Sequence, residues 1–222
     1  MKKLALYVLL LASNTTILPT VWAEPANLDL LRAEIVNYHD SGKYEHELQK
    51  VTNNATKYIN KRSVENSKKK NPQKLAIVLD IDETSLSNYK YMVPRKFVGT
   101  SDQFTADVMD ARAPALKPML SLFNNARQKG VAIFFVTGRH ESEKQATVKN
   151  LHRAGYNNWA GLYLKPNNYK QKSIVPFKSK TRKMITDKGY TILASLGDQQ
   201  SDLDGGYAEK TYKLPNPFYY LP

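Results

Sequence analysis

The apolar positions of the chain follow two rhythms. Over residues 27–64 they recur every three to four positions, as Leu28, Leu31, Ile35 and Tyr38, then as Tyr44, Leu48, Val51, Ala55 and Ile59. That period belongs to helices with one apolar face, so it predicts two amphipathic helices that meet at Ser41-Gly42. Asn27 and Ser41 are suited to cap their N-termini, because a short polar side chain accepts from the free amides of a first turn. From residue 75 onward the pattern changes to short apolar runs at 75–79, 131–136, 161–164 and 191–196, alternating with helical stretches at 117–129, 141–154 and 178–187. Runs without polar alternation suit strands buried on both faces, as in parallel sheets. Gly130, Gly155 and Gly189 each follow a helical stretch, where helices often end on a left-handed residue. The alternation predicts an α/β fold: a doubly wound parallel sheet with helices on both faces and a helical pair at its N-terminus.

Three segments stand outside these rhythms. Residues 63–72 are polar and basic, include Lys68-Lys69-Lys70, and read as a solvated loop. Residues 85–116 carry Tyr89, Tyr91, Pro94, Phe97, Phe104 and Pro114. They follow the first strand directly, which predicts a small cap or lid over the C-terminal edge of the sheet. At the start, Lys2 and Lys3 precede the apolar residues 4–12, then polar residues 13–16 and Val21-Trp22-Ala23. This is the order of a secretory signal, with cleavage expected after Ala23 and a mature domain over 24–222. A membrane span needs roughly 20 apolar residues, and the polar stretch interrupts this one early.

The chain has no cysteine. Disulfides are therefore impossible, and so is lipid attachment through an N-terminal cysteine. With the signal removed, the expected location is periplasmic or secreted, without a membrane. The net charge is +13, two of it in the signal. A basic surface draws anions, whether nucleic acid or a small phosphate ester. Neither zinc-finger spacing nor a stacking-aromatic signature is present, so nucleic acid is not the expected partner.

Candidate chemistry lies at the strand ends. Residues 75–84 read Leu-Ala-Ile-Val-Leu-Asp-Ile-Asp-Glu-Thr, so the first apolar run stops at Asp80 and Asp82. The second run ends in Thr137-Gly138-Arg139, Lys178 opens the helical stretch before the last run, and that run leads into Gly197-Asp198 and on to Asp202. In open α/β sheets, ligands bind beyond the carboxyl ends of the strands. Together these groups suit phosphoryl transfer. A carboxylate can act as a nucleophile on phosphorus. At about 4 Å, however, two unit charges repel by about 4 kcal/mol at an effective dielectric near 20. Cations must offset this. Mg²⁺ commonly binds through one or two carboxylates plus phosphate and water, and Asp80 and Asp198 could supply the carboxylates. Lys178 could neutralise further charge, while Thr137 and backbone amides hold phosphoryl oxygens. In an extended chain Asp82 points the same way as Asp80, placing a general acid and base beside the nucleophile.

These residues resemble the four motifs of the haloacid dehalogenase (HAD) superfamily. The whole mature chain looks like its subfamily IIIB acid phosphatases, which include secreted bacterial enzymes and plant vegetative storage proteins. Further matches are Tyr38…Ser41-Gly42…Tyr44, Phe177-Lys178-Ser179…Arg182 and Leu214-Pro-Asn-Pro-Phe-Tyr219. The resemblance implies a HAD-like fold and a Mg²⁺-dependent phosphomonoesterase working through an aspartyl-phosphate. Asp80 would be the nucleophile and Asp82 the acid and base. Thr137, Gly138 and Lys178 would bind phosphate. Asp80, the Asp82 backbone carbonyl and Asp198 would hold the metal, with Asp202 as ligand or support. Lys180 and Lys183 compete with Lys178 by position alone. Glu83 reads as structural, Arg139 and His140 as surface or helix-start contacts, and Tyr89, Tyr91 and Tyr219 as packing residues that could also stack on a leaving group. The aromatic insertion makes a nucleoside monophosphate a plausible substrate. A weakly active storage protein and a phosphotransferase on the same fold are the competing readings. A phosphoacceptor signalling domain would need its metal-binding acids a strand and helix ahead of the nucleophile. A glycosyltransferase using Asp80 and Asp82 would leave Thr137, Lys178 and Asp198 without a task.

Overall fold

The computed structural model describes residues 25–221. The predicted secretory signal lies outside the described residues. Five strands form one parallel sheet: β1 (Lys74–Leu79), β2 (Ala132–His140), β3 (Gly161–Lys165), β4 (Tyr190–Gly197) and β5 (Lys210–Lys213). Their order is β3-β2-β1-β4-β5. The chain thus builds outward from β1 to one side, then returns to place β4 on the other. The switch point lies between β1 and β4, the position where open α/β sheets hold their ligands.

Side chains of β1 alternate between two apolar layers. Leu75, Ile77 and Leu79 join the larger core with Tyr44, Leu48, Ala55 and Ile59 of α2 (Lys43–Ser67) and Met119, Leu122 and Phe123 of α5 (Lys117–Gln128). Ala76 and Val78 face the other way, with Phe134, Val136, Ile192 and Ile185 of α7 (Val175–Asp187). Each fully buried Leu or Ile contributes roughly 1.5–3 kcal/mol, which fixes this strand in the sheet's middle. The doubly wound reading is borne out, and Gly130, Gly155 and Gly189 all take positive φ behind their helices.

Several boundaries differ from the sequence reading. Ser41 does not cap the second helix. It closes α1 (Leu28–Asp40), and α2 starts from Gly42 at φ +82°, because only two residues turn the chain between the helices. Asn27 does cap α1, accepting from the amides of Asp29 and Leu30. The loop expected over 63–72 is shorter, because α2 continues to Ser67. The reciprocal pair Asn66 Nδ2 to Gln73 O and Gln73 N to Asn66 Oδ1, both 2.9 Å, closes what remains. The helical stretch expected over 141–154 is a 3-10 turn followed by α6 (Lys144–Arg153). The 85–116 insertion carries α3 (Tyr89–Met92) and α4 (Ser101–Asp110), the latter opened by a capping box between Thr100 and Gln103.

Candidate active site

The C-terminal ends of β1 and β4 bring the acids together. The β1–β4 pairing continues one residue past the strand, with Asp80 N donating to Leu196 O at 3.0 Å. The chain then turns sharply. The amides of Thr84, Ser85 and Leu86 all point at Ile81 O, Ser85 Oγ donates to Asp80 O at 2.7 Å, and Glu83 takes φ +49°. Asp80 and Asp82 both line the same cavity while Ile81 sinks into the core. They face the same way, as expected from their spacing, but in a tight turn instead of an extended strand.

Lys178, in the first turn of α7, lies between two carboxylates. Its Nζ is 2.5 Å from Asp80 Oδ1 and 2.5 Å from Asp202 Oδ1. Asp202 approaches the end of β4 so closely that a Cβ on Gly197 would sit 2.3 Å from its own Cβ. A glycine is therefore required there. Arg182, fully buried one turn after Lys178, donates to the carbonyls of Asp202, Asp204 and Gly206 and so pins the loop that carries Asp202. Neither Lys180 nor Lys183 lines the cavity.

Asp80, Asp198 and Asp202 each offer a carboxylate oxygen within 4.8 Å of the others, and all three are buried. Lys178 is the lysine between them. With all three acids ionised, the group keeps two negative charges, the complement of a divalent cation. Unpaired buried charge is strongly disfavoured, so the donor set fits a hard, oxygen-preferring cation. Burial pushes Asp80 well above the usual carboxylate range; Lys178 opposes this, and Asp202, Asp198 and Asp82 add to it. Asp198 is pushed up to about 6, by burial first and then by Asp202. Burial would depress Lys178, but Asp202 and Asp80 outweigh it and hold the ammonium above its ordinary value.

Asp82 sits in a different field. Burial acts upward on it too, but the Arg139 guanidinium and the Asn88 amide hold its carboxyl below the usual range. Arg139 donates from Nη2 to Oδ1 at 2.7 Å and from Nε to Oδ2 at 3.0 Å, and Asn88 Nδ2 adds 2.8 Å to Oδ1. The expectation of surface contacts for Arg139 is therefore corrected: the side chain is fully buried, because the β2 ladder carries it inward past a register shift between Thr137 and His140. Such bulges commonly re-aim side chains beside active sites.

Thr137 is fully buried at the β2 end, where its Oγ1 accepts from Arg139 N at 3.1 Å. The cavity wall at this edge comes from Gly138, Arg139 and His140. A Cβ on Gly138 would meet nothing within 4 Å, so no protein neighbour demands its small size. Glu83 is fully buried and accepts from Asn88 N at 2.6 Å and Tyr219 Oη at 2.7 Å. Burial, with Asp82 and Asp198 next, raises it to about 8. Tyr219 is thus more than a packing residue, since it lines the cavity and donates this bond to a buried carboxyl.

The cavity measures about 560 Å³, within the range of small-molecule sites. Phe97, Phe104 and Phe218 give it apolar walls, and Lys165 and Lys172 add positive charge to its lining. Among the described residues, neither lysine is ion-paired. Sequence reasoning missed Asn88, Lys165, Gln199 and Asn216. Of these, Asn216 lay inside a motif already singled out, Leu214-Pro-Asn-Pro-Phe-Tyr219, and Gln199 inside the stretch from Gly197-Asp198 to Asp202, but neither was given a task.

The family described as HAD superfamily, subfamily IIIB (Acid phosphatase) matches residues 14–222. The chain belongs to this family. Its match begins inside the segment read as a secretory signal. Similar proteins include Acid phosphatase 1 of Solanum lycopersicum, 35% identical over 148 residues, spanning 65% of this chain and 58% of that protein. Vegetative storage protein 2 of Arabidopsis thaliana is 34% identical over 150 residues, spanning 65% and 56%. The chain thus spans less than two thirds of the length of these relatives. The structure of the class C acid phosphatase from Bacillus anthracis with tungstate bound superposes with a TM-score of 0.70 at 23% identity, covering 87% of this chain and 86% of that one. That likeness shows the shared fold, a five-stranded parallel sheet between helices.

Proposed function

We propose that the protein is a Mg²⁺-dependent acid phosphatase that hydrolyses small phosphomonoesters through an aspartyl-phosphate on Asp80. The observation that carries this reading is the bridge of Lys178 to Asp80 and Asp202, with Asp198 beside them at the sheet's switch point.

In the first step an Asp80 carboxylate oxygen bonds to phosphorus as the ester P–O bond breaks. The leaving oxygen takes a proton from Asp82. In the second step Asp82 takes a proton from a water whose oxygen bonds to phosphorus, and the Asp80–phosphorus bond breaks to release inorganic phosphate. Lys178 offsets phosphoryl charge, and the Thr137-Gly138 backbone edge supplies further hydrogen bonds. A bound Mg²⁺, held by Asp80, Asp198, the Asp82 carbonyl and Asp202, would neutralise charge between nucleophile and phosphate. Because Arg139 holds Asp82 low, acidic solution raises the fraction of Asp82 able to donate. The same acid also protonates the Asp80 nucleophile, so the two effects oppose each other.

The aromatic walls suit a flat leaving group such as the base of a nucleoside monophosphate, and Lys165 and Lys172 favour anionic esters over neutral ones. The 85–116 segment serves as the cap, and residues 1–23 as a cleaved signal that exports the 24–222 domain to the periplasm or medium. Among the described residues no helix is long and apolar enough to cross a membrane. Two of the relatives are named vegetative storage proteins, which keeps a weakly active storage role as the second reading. The complete set Asp80, Asp82, Lys178 and Asp198 favours the enzyme. Steady-state hydrolysis of a panel of phosphomonoesters with and without Mg²⁺ tests this reading. Adding an alcohol acceptor separates phosphate release from phosphotransfer. Turnover that persists undiminished in Asp80→Asn would overturn the mechanism.

A further inference from the structure

The segment after β5 returns across the ends of β1 and β4. Leu214 N donates to Gly197 O at 2.9 Å, and Leu214 and Phe218 are buried in the larger core. Between them Asn216 reaches the acid cluster: its Nδ2 donates to Asp198 Oδ2 at 2.7 Å. Its orientation is fixed from both sides, because Oδ1 accepts from Phe218 N at 2.8 Å while Nδ2 faces a group that only accepts. Pro215 and Pro217 flank it and restrict the backbone, which lowers the entropy lost on docking.

Gln199 is the second joint. Its Nε2 donates to Asp198 Oδ2 at 2.8 Å and lies 3.4 Å from Tyr219 O, its Oε1 accepts from Leu221 N at 3.1 Å, and its backbone N donates to Asp202 Oδ2 at 2.9 Å. Asp198 Oδ2 therefore carries two amide donors, which fills its two lone pairs. Among the described residues Oδ1 accepts only from Thr84 Oγ1, at 2.9 Å, which leaves it a second lone pair. The amides thus select which oxygen of Asp198 is offered to a cation.

We propose that residues 214–221 form part of the divalent-cation site, with Asn216 as the positioning residue that orients Asp198, so that cation binding and docking of this segment are coupled. The inference rests on the Mg²⁺ reading above. Groups that orient a metal ligand typically cost about 10–100-fold in metal affinity when removed. Coupling of this kind is reciprocal, so the cation must hold the segment as firmly as the segment helps hold the cation.

Calorimetric titration with Mg²⁺ of the wild type, Asn216→Ala, Asn216→Asp and Gln199→Ala reads the first half. Each variant is expected to bind about 10–100-fold more weakly. Asn216→Asp gains nothing from its similar shape, because a carboxylate cannot donate to Asp198. Hydrogen exchange of the wild-type 214–221 amides reads the second half without any substitution, and is expected to slow when Mg²⁺ is added. A folded Asn216→Ala protein that binds Mg²⁺ within two-fold of wild type overturns the proposal. Exchange at 214–221 that ignores saturating Mg²⁺ overturns it as well, even if no variant folds. A wild type that fails to bind Mg²⁺ overturns the metal-dependent function itself, a result distinct from both.

Discussion

Arg139 grips Asp82 with two nitrogens, Nη2 at 2.7 Å from Oδ1 and Nε at 3.0 Å from Oδ2, and its side chain is wholly buried. Removing one partner of a buried ion pair leaves the other charge uncompensated, at a cost of about 3–5 kcal/mol. Arg139→Met is therefore expected to lower unfolding stability by about 3 kcal/mol in urea titration. Adding Asp82→Asn to Arg139→Met should recover much of that loss. Independent, additive effects of the two substitutions would show that the contact carries no coupling energy.

Asp80 presents the opposite case. Its folded carboxyl prefers the proton because burial and three neighbouring acids oppose its charge, with Lys178 the main group acting the other way. A group whose pKa is raised by folding weakens the fold when it is ionised. Asp80→Asn is thus expected to abolish turnover while leaving the metal-free protein at least as heat-stable as wild type. Thermal melts in chelator, paired with phosphate-release assays, check both halves. A marked fall in the metal-free melting temperature would contradict the electrostatic account.

Phe104 lines the cavity but remains 39% exposed, so the fold depends on it little. Aromatic contacts contribute about 0.5–1.5 kcal/mol beyond area burial. Phe104→Ala should raise KM for aryl or nucleoside phosphates by about 2–10-fold, with little change for a short alkyl phosphate. Equal changes for both substrate types would remove the insertion's role in leaving-group recognition.

Away from the site, Glu209 ties the start of β5 to α2. It accepts from Arg62 Nη2 at 2.6 Å, Arg62 Nε at 2.8 Å and Tyr58 Oη at 2.7 Å. The hydrogen bond from Arg62 lowers its carboxyl below the usual 4.5, with burial opposing. A depressed acid stabilises fully above its unfolded value and loses that contribution as pH falls through the folded one. Glu209→Gln is expected to cost about 1 kcal/mol at pH 7, given partial exposure. Urea titrations at pH 7 and near pH 3 should show the difference shrinking with acid. A gap that widens at low pH would reverse the sign of this argument.

The sheet was legible where burial is two-sided. The β1, β2, β3 and β4 runs are apolar because both faces are covered, and Asp80, Asp82, Thr137, Lys178 and Asp198 stand at or just beyond element ends. β5 was invisible because Lys210–Lys213 is an exposed edge strand whose polar sequence has no run to detect. The signal for α4 was present in Thr100 and Gln103, a capping box that the apolar pattern does not register. Arg139 reads as a surface residue in any local window. Its partner lies 57 residues away, so only the assembled sheet shows why an arginine belongs there. Asn88 and Gln199 were illegible for a different reason: their carboxylate partners lie only one to six residues away, and the folded turns alone show which amide meets which acid.

The order of the sheet also governs when the site comes into being. β4 slots between β1 and β5, and the contact between Thr84 and Asp198 spans 114 residues of sequence. Nearly the whole chain, β2 and β3 included, must be made before the acids of β1 can meet those of β4. Their mutual repulsion is therefore absent from the early, local steps of folding and is felt only at this long loop closure, which is intrinsically slow. β1, β2 and β3 can pair without meeting that repulsion, and the charge that suits the site to chemistry becomes a folding problem only when β4 docks on β1, after which β5 can add to β4.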